Sequence, residues 1–228
     1  MEPLLQIRNI SKSFFGIKAL NDISIDFYAG RVHALLGENG AGKSTLIKII
    51  SGVYIKDEGR ICLEGKEIFP HTPREGIDLG ISVIHQELSV VRDLTVAENI
   101  FLDCLPTKGK FIDFKKMNSD AKAMMNKLCI TNINPTDKMK NLTVADHQMI
   151  EIVKAISYNS RILVMDEPTS SIADKEVEFL FETMRKLAKQ GVGIIYISHK
   201  MSELEEICDR VTVMRDGEYV GTKVVKET

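Results

Sequence analysis

Short apolar runs bounded by glycine, aspartate or asparagine alternate along the chain with stretches in which apolar residues recur every third or fourth position. The first pattern predicts strands and the second predicts helices. Residues 4–10 and 23–28 read as two strands around a connection over 11–22. Residues 32–36, VHALL, are short and apolar enough for a buried strand. Leu46, Ile47, Ile49 and Ile50 then fall at helical spacing, and Ser51-Gly52 can stop that helix. Residues 60–63 and 66–69, divided by Glu64-Gly65, read as a hairpin. A further buried strand over 80–87 ends in polar His85, Gln86 and Glu87.

From about 94 to 160 the pattern turns helical. Thr95 and Glu98 make a capping box ahead of Ile100 and Phe101. Met117, Ala121, Met124, Met125 and Leu128 share one helix face, and Met149, Ile152, Val153 and Ile156 share another. Strands return at 162–165, 193–197 and 211–214, and Asp216-Gly217 starts a last hairpin. Between them, Asp174-Lys175 open a helix with Val177, Leu180, Phe181, Met184 and Leu187 on one face, ended by Gly191. A second helix runs through Ile207. This alternation indicates an α/β fold, a mainly parallel sheet with helices on both faces. The helical stretch 88–160 reads as a subdomain inserted into a core made of 1–87 and 161–228, all within one domain.

Composition narrows the class. At 228 residues, 44% hydrophobic and 27% charged, the chain can bury a substantial core. A net charge of −2 supplies no positive field for nucleic acid, which is not an expected partner. No apolar run approaches the ~20 residues needed to cross a bilayer. Cys62, Cys104, Cys129 and Cys208 are scattered without a C-x-x-C pair, which suits thiols in a reducing cytoplasm better than disulfides or zinc.

The chemistry starts at Gly37-Glu38-Asn39-Gly40-Ala41-Gly42-Lys43-Ser44-Thr45, the pattern G-x-x-x-x-G-K-S/T between a strand and a helix. Glycines at 37, 40 and 42 let successive backbone N–H groups turn toward phosphate oxygens. The helix that follows adds unpaired N–H groups and about half a positive charge at its start. Lys43 can reach the β- and γ-phosphates, and the Ser44 hydroxyl can ligate Mg²⁺. The chain is expected to bind a nucleoside triphosphate.

A second set of groups comes from distant strand ends. Residues 162–165 run into Asp166-Glu167-Pro168-Thr169. Asp166 can hold the same Mg²⁺ through water. Glu167, turned to the other side by the strand's alternation, can act as general base for an attacking water. His199, also at a strand end, could donate to the γ-phosphate, although on its own it would be an ordinary loop histidine. Gln86 can reach a metal or the attacking water. His85, with no partner histidine, is not expected to bind metal. Phe14 and Phe15 could stack on a purine or pack into the core. No N-K-x-D motif for guanine is present, so adenine is the better choice.

Taken together, these segments resemble the ATP-binding cassette ATPases over nearly the whole chain. GENGAGKST resembles the Walker A motif, and ILVMDEPTSS resembles Walker B followed by the catalytic glutamate, Glu167. Gln86 stands at the Q-loop position, SIAD at the D-loop, His199 at the switch histidine and Phe14 at the base-stacking aromatic. The resemblance implies a P-loop core with an N-terminal antiparallel β region and an inserted helical subdomain. KALNDIS, HQELSVV and YISHKM are similar to the N-terminal cassette of duplicated monosaccharide importers. PTKGKF and QMIEIVKAISYN are most similar to the galactose/methyl-galactoside type, with ribose types next. That similarity implies ATP and Mg²⁺ as cofactors and a place at the cytoplasmic face of the cell membrane. It implies as partners a second cassette, transmembrane permease subunits and, indirectly, a periplasmic or extracellular sugar-binding protein.

Two departures bear on the implied activity. The family signature L-S-G-G-Q aligns with Leu142-Thr143-Val144-Ala145-Asp146, which puts side chains where close phosphate approach wants glycine. Thr143 and Asp146 also make a capping-box pattern, so the segment could serve the opposite nucleotide or only its own helix. The second departure is length: the importers carry two cassettes in one polypeptide, and the resemblance here covers the first.

Overall fold

A computed structural model describes residues 2–85, 89–170 and 172–225. The chain opens with β1 (Leu5–Phe14), β2 (Ile17–Phe27), β3 (Val32–Leu36) and helix α1 (Lys43–Ile50). Next come β4 (Glu58–Leu63), β5 (Lys66–Ile68), α2 (Pro73–Asp78) and β6 (Ile81–Ile84). Helix α3 (Val96–Ile100), the two-residue strands β7 (Thr107–Lys108) and β8 (Phe111–Ile112), α4 (Phe114–Lys127) and α5 (Val144–Ser157) follow. The last part holds β9 (Ile162–Asp166), α6 (Asp174–Lys189), β10 (Gly193–Ile197), α7 (Met201–Ile207), β11 (Arg210–Arg215) and β12 (Glu218–Val224).

A six-stranded sheet in the order β12-β11-β3-β10-β9-β6 forms the centre, parallel except for the β12 edge. Strand β10 is buried along its whole length, as expected where both faces of a parallel sheet are covered. Side-chain alternation divides the core in two. Leu163, Met165, Ile194 and Tyr196 face the helices α3 to α7, together with Ile152, Val153, Phe181 and Met184. Val164, Ile195 and Ile197 face Leu46 and Ile50 of α1 and, beyond them, Leu5, Ile7 and Ile61. Those last residues belong to a second, antiparallel sheet in the order β2-β1-β4-β5. Helix α1 therefore lies between two sheets, and its four isoleucine and leucine positions are all buried.

The connection expected over 11–22 is instead strand. β1 and β2 run on until only Phe15 and Gly16 separate them, with φ of 49° and 83°. Two successive positive φ angles give the turn whose twist matches paired strands. The alternation was hidden by irregularities: the pairing shifts register between Ile7 and Ser13, and Asn9 and Asp22 sit at φ 53° and 56°. Each bulge reverses the phase of inward and outward residues. Helix α2, capped by Thr72 and started by Pro73, is too short to show a period and was not anticipated. The Thr95–Glu98 capping box is formed in both directions.

Candidate functional site

In a parallel sheet with helices on both faces, ligands sit beyond the carboxyl ends of the strands. Here β3, β10 and β9 are neighbours, so the loop after β3, His199 beyond β10 and Asp166-Glu167 at the end of β9 meet. They enclose a cleft of about 300 Å³ lined by residues 39–45, Asp166, Glu167, Ile197, His199 and Ala19.

The glycine loop is shaped by its neighbours. Gly42 caps α1 with φ 96°, and a Cβ there would come within 2.7 Å of the Ala19 carbonyl oxygen. Gly37 is needed for space: a Cβ would lie 2.5 Å from the Met214 carbonyl oxygen. The loop is thus pressed between β2 and β11, with residues 39–45 along the cleft. Lys43, the first residue of α1, is buried, and its Nζ donates to the carbonyls of Gly37 at 2.6 Å and Glu38 at 3.1 Å. Burial lowers the Lys43 pKa, and Asp166 and Glu167 pull it back up.

Asp166 ends β9 half-buried. Burial raises its pKa and the adjacent Glu167 raises it further, against His85, Lys43 and His199. A cation between these groups and a phosphate would relieve that pressure. Glu167, read as turned to the other side of the strand end and close to the γ-phosphate, lines the same cleft as Asp166. The reason is local: Glu167 has φ 47°, so the strand's alternation stops at Asp166. Its N–H donates to the Ile197 carbonyl at 2.9 Å, and its Oε1 lies 2.8 Å from His199 Nε2. A non-glycine residue in this conformation costs on the order of 1–3 kcal/mol and needs surroundings that enforce it.

The other expected positions are more scattered. Gln86 and Ser171 lie outside the described residues. Phe14 is not part of the cleft lining; its ring meets Tyr54 edge-on at 5.1 Å, with Lys12 Nζ 5.4 Å from its centroid. Phe15 is fully exposed at the hairpin tip. Residues 142–146 also lie away from the cleft. Thr143 caps α5, accepting from Asp146 N at 3.1 Å, while Asp146 Oδ2 accepts from Thr143 N at 3.0 Å. Val144 is 45% exposed beside that cap. Sequence reading did not single out Ala19, whose part comes from its backbone carbonyl, or Glu203, buried behind His199. Nothing in SELEE distinguishes Glu203 from the solvated glutamates beside it.

Residues 20–170 match the family model described as ABC transporter, spanning the glycine loop through Asp166 and Glu167. The chain belongs to the ABC transporter family. Among curated members of that family it is 51% identical over 225 residues to the "Galactose/methyl galactoside import ATP-binding protein MglA" of Mannheimia succiniciproducens, covering 99% of this chain and 44% of that protein. With the protein of the same name from Salmonella typhimurium it shares 49% identity over 222 residues, 97% of this chain and 44% of the relative. The chain thus spans less than half the length of these relatives. Its fold matches that of an ABC transporter ATP-binding cassette crystallised in its ADP conformation, with a TM-score of 0.87 at 28% identity, covering 100% of this chain and 94% of that one. The sheet, the antiparallel β region and the helices α3 to α5 are therefore those of an ABC ATPase cassette. No helix among the described residues is long and apolar enough to cross a membrane.

Proposed function

We propose that the chain binds and hydrolyses ATP to power a monosaccharide importer of the galactose/methyl-galactoside type, from the cytoplasmic face of the cell membrane. The observation that carries this reading is the meeting of Lys43, Asp166 and the Glu167–His199 pair in one cleft. The names borne by relatives at 49–51% identity support the sugar class, and a ribose-type importer is the neighbouring alternative.

The chain's own groups divide the work. Loop N–H groups and the start of α1 bind phosphate, and Lys43 exchanges its carbonyl partners for phosphoryl oxygens. Ser44 and Asp166 line the same cleft with hard oxygen donors and so fit Mg²⁺, which needs one or two protein ligands beside phosphate and water. When bound, the ion neutralises charge on the β- and γ-phosphates. Glu167 takes the proton of the attacking water, and His199 holds that carboxylate in place and donates to the γ-phosphate. Phe14 and Gln86 serve the base and the water. A second cassette supplies the opposing signature segment, permease subunits dock on the helical part 88–160, and a sugar-binding protein delivers the cargo. In the assembled importer, Glu167→Gln should lower turnover by about 10²–10⁴-fold with ATP still bound. Wild-type turnover in that variant would reject the assigned base.

Exposed Val144 and the locked Thr143–Asp146 cap favour a second reading, a cassette that binds ATP as dimer glue beside an inactive site. Single-site turnover measured in the assembly separates the two.

A further inference from the structure

Behind the cleft, one buried carboxylate gathers an unusual set of donors. Glu203 of α7 is 6% exposed. Its Oε2 accepts from Tyr196 OH at 2.7 Å, Ser198 Oγ at 2.7 Å and Thr169 Oγ1 at 3.0 Å. Its Oε1 lies 3.1 Å from Lys200 Nζ. Thr169, Tyr196 and Ser198 are themselves buried. Burial pushes the Glu203 carboxyl up, but the donors from Tyr196, Ser198, Thr169 and Lys200 outweigh it and hold it below the usual carboxylate range.

The positions of those donors give the network its meaning. Thr169 follows Glu167 by two residues at the exit of β9, and Ser198 and Lys200 flank His199 at the exit of β10. The two exits carry the two halves of the Glu167–His199 contact, and Glu167 holds a left-handed backbone that its surroundings must enforce. We propose that Glu203 is a positioning residue, whose carboxylate ties the exits of β9 and β10 together and so sets the geometry of the Glu167–His199 pair. The proposal rests on the hydrolytic reading given above. A fully paired buried charge is rigid as well as costly to disturb. A shift of about 1 Å at reacting groups can lower a rate by about a hundredfold.

The test is Glu203→Gln in the assembled importer, with Ser198→Ala as a second variant that removes the hydroxyl next to His199, which donates to Glu203 and accepts from the Lys200 N–H at 3.1 Å. Expected are a kcat lowered about ten- to a hundredfold for Glu203→Gln and less for Ser198→Ala. Affinity for a fluorescent ATP analogue should stay within about twofold of the unsubstituted protein. In the isolated chain, the ¹⁵N signals of the His199 ring should move in both variants, reporting a loosened contact with Glu167. Unchanged kcat in whichever variants fold, or losses of kcat and ATP affinity in equal measure, would overturn the proposal and leave Glu203 a packing residue. Glu167→Gln run alongside separates the two levels. If it abolishes turnover while Glu203→Gln does not, only the role of Glu203 falls. If it leaves turnover intact, the hydrolytic reading falls and takes this proposal with it.

Discussion

His33 sits on β3, just ahead of the glycine loop, 1% exposed, its ring tilted against Phe27 at 4.8 Å and its Nε2 2.7 Å from Thr212 Oγ1. Burial first, and Arg210 second, lower its pKa to about 4, with Asp26 opposing. The folded chain therefore keeps this ring neutral at pH values where the unfolded chain, near 6.5, already takes a proton. Stability should fall as pH drops from about 6.5 to 4, by up to about 3 kcal/mol from this residue, and not change above that window. Denaturant titrations at pH 7.5, 5.5 and 4.5 would measure it, and His33→Gln should flatten that part of the slope. An unchanged slope in the variant would mean that the acid loss arises elsewhere. The glycines of the loop allow a sharper comparison. Gly40 and Gly42 both have positive φ, but a Cβ at Gly40 meets nothing within 4 Å, whereas at Gly42 it meets the Ala19 carbonyl and Leu20. Gly40→Ala should cost only the left-handed backbone, roughly 1–2 kcal/mol. Gly42→Ala should cost clearly more and abolish ATP binding, because β2 or α1 must move. Equal effects on melting and binding would show that backbone conformation, not the approach of β2, sets the requirement.

At the scale of elements, what could be read from the sequence depended on whether a signal was local. The glycine loop, the capping boxes and the amphipathic face of α6 each lie within one window, and all appear where expected. The β1–β2 hairpin did not, because bulges at Asn9 and Asp22 interrupt its period. The left-handed backbone of Glu167 did not either, because no residue type in MDEPT marks a positive φ at the end of β9. Glu203 was illegible for a third reason: its donors come from other elements, and only the fold brings them together. The start of α5 offers a test in which a local and a remote role give different answers. Thr143→Ala removes the cap and should cost about 1 kcal/mol, with Thr143→Ser restoring it. Val144→Gly leaves the cap bonds intact and removes the exposed side chain. If the segment faces a nucleotide on another cassette, Val144→Gly should raise turnover of the assembled importer without raising stability. If it only starts a helix, turnover should not change.

Across the whole molecule, the cleft draws on both sheets: Ala19 comes from the antiparallel one, and the loop, Asp166, Glu167 and His199 come from the ends of parallel strands. Anything held in the cleft therefore ties the two core layers together, and α1, packed between them, carries the load. Binding to the folded state alone should then stabilise the entire chain. At a ligand concentration a hundredfold above Kd the gain is about 2.7 kcal/mol. For a domain of this size each kcal/mol raises Tm by roughly 2–4 °C, so Mg-ATP should lift the melting point of the isolated chain by about 5–10 °C. Removing Mg²⁺ with a chelator should shrink the shift, because Ser44 and Asp166 then face the phosphates without the ion they share. The loss should be greater for Asp166, whose charge repels phosphate, so Asp166→Asn should partly recover binding of ATP in chelator while weakening binding of Mg-ATP. Lys43→Ala should remove the shift under both conditions and leave the melting point without nucleotide nearly unchanged, since among the described residues the lysine's ammonium donates to carbonyls of its own loop. Differential scanning calorimetry of the unsubstituted chain and the two variants, with and without chelator, checks each step. A Lys43→Ala chain that still melts higher with Mg-ATP would place the triphosphate somewhere other than this cleft.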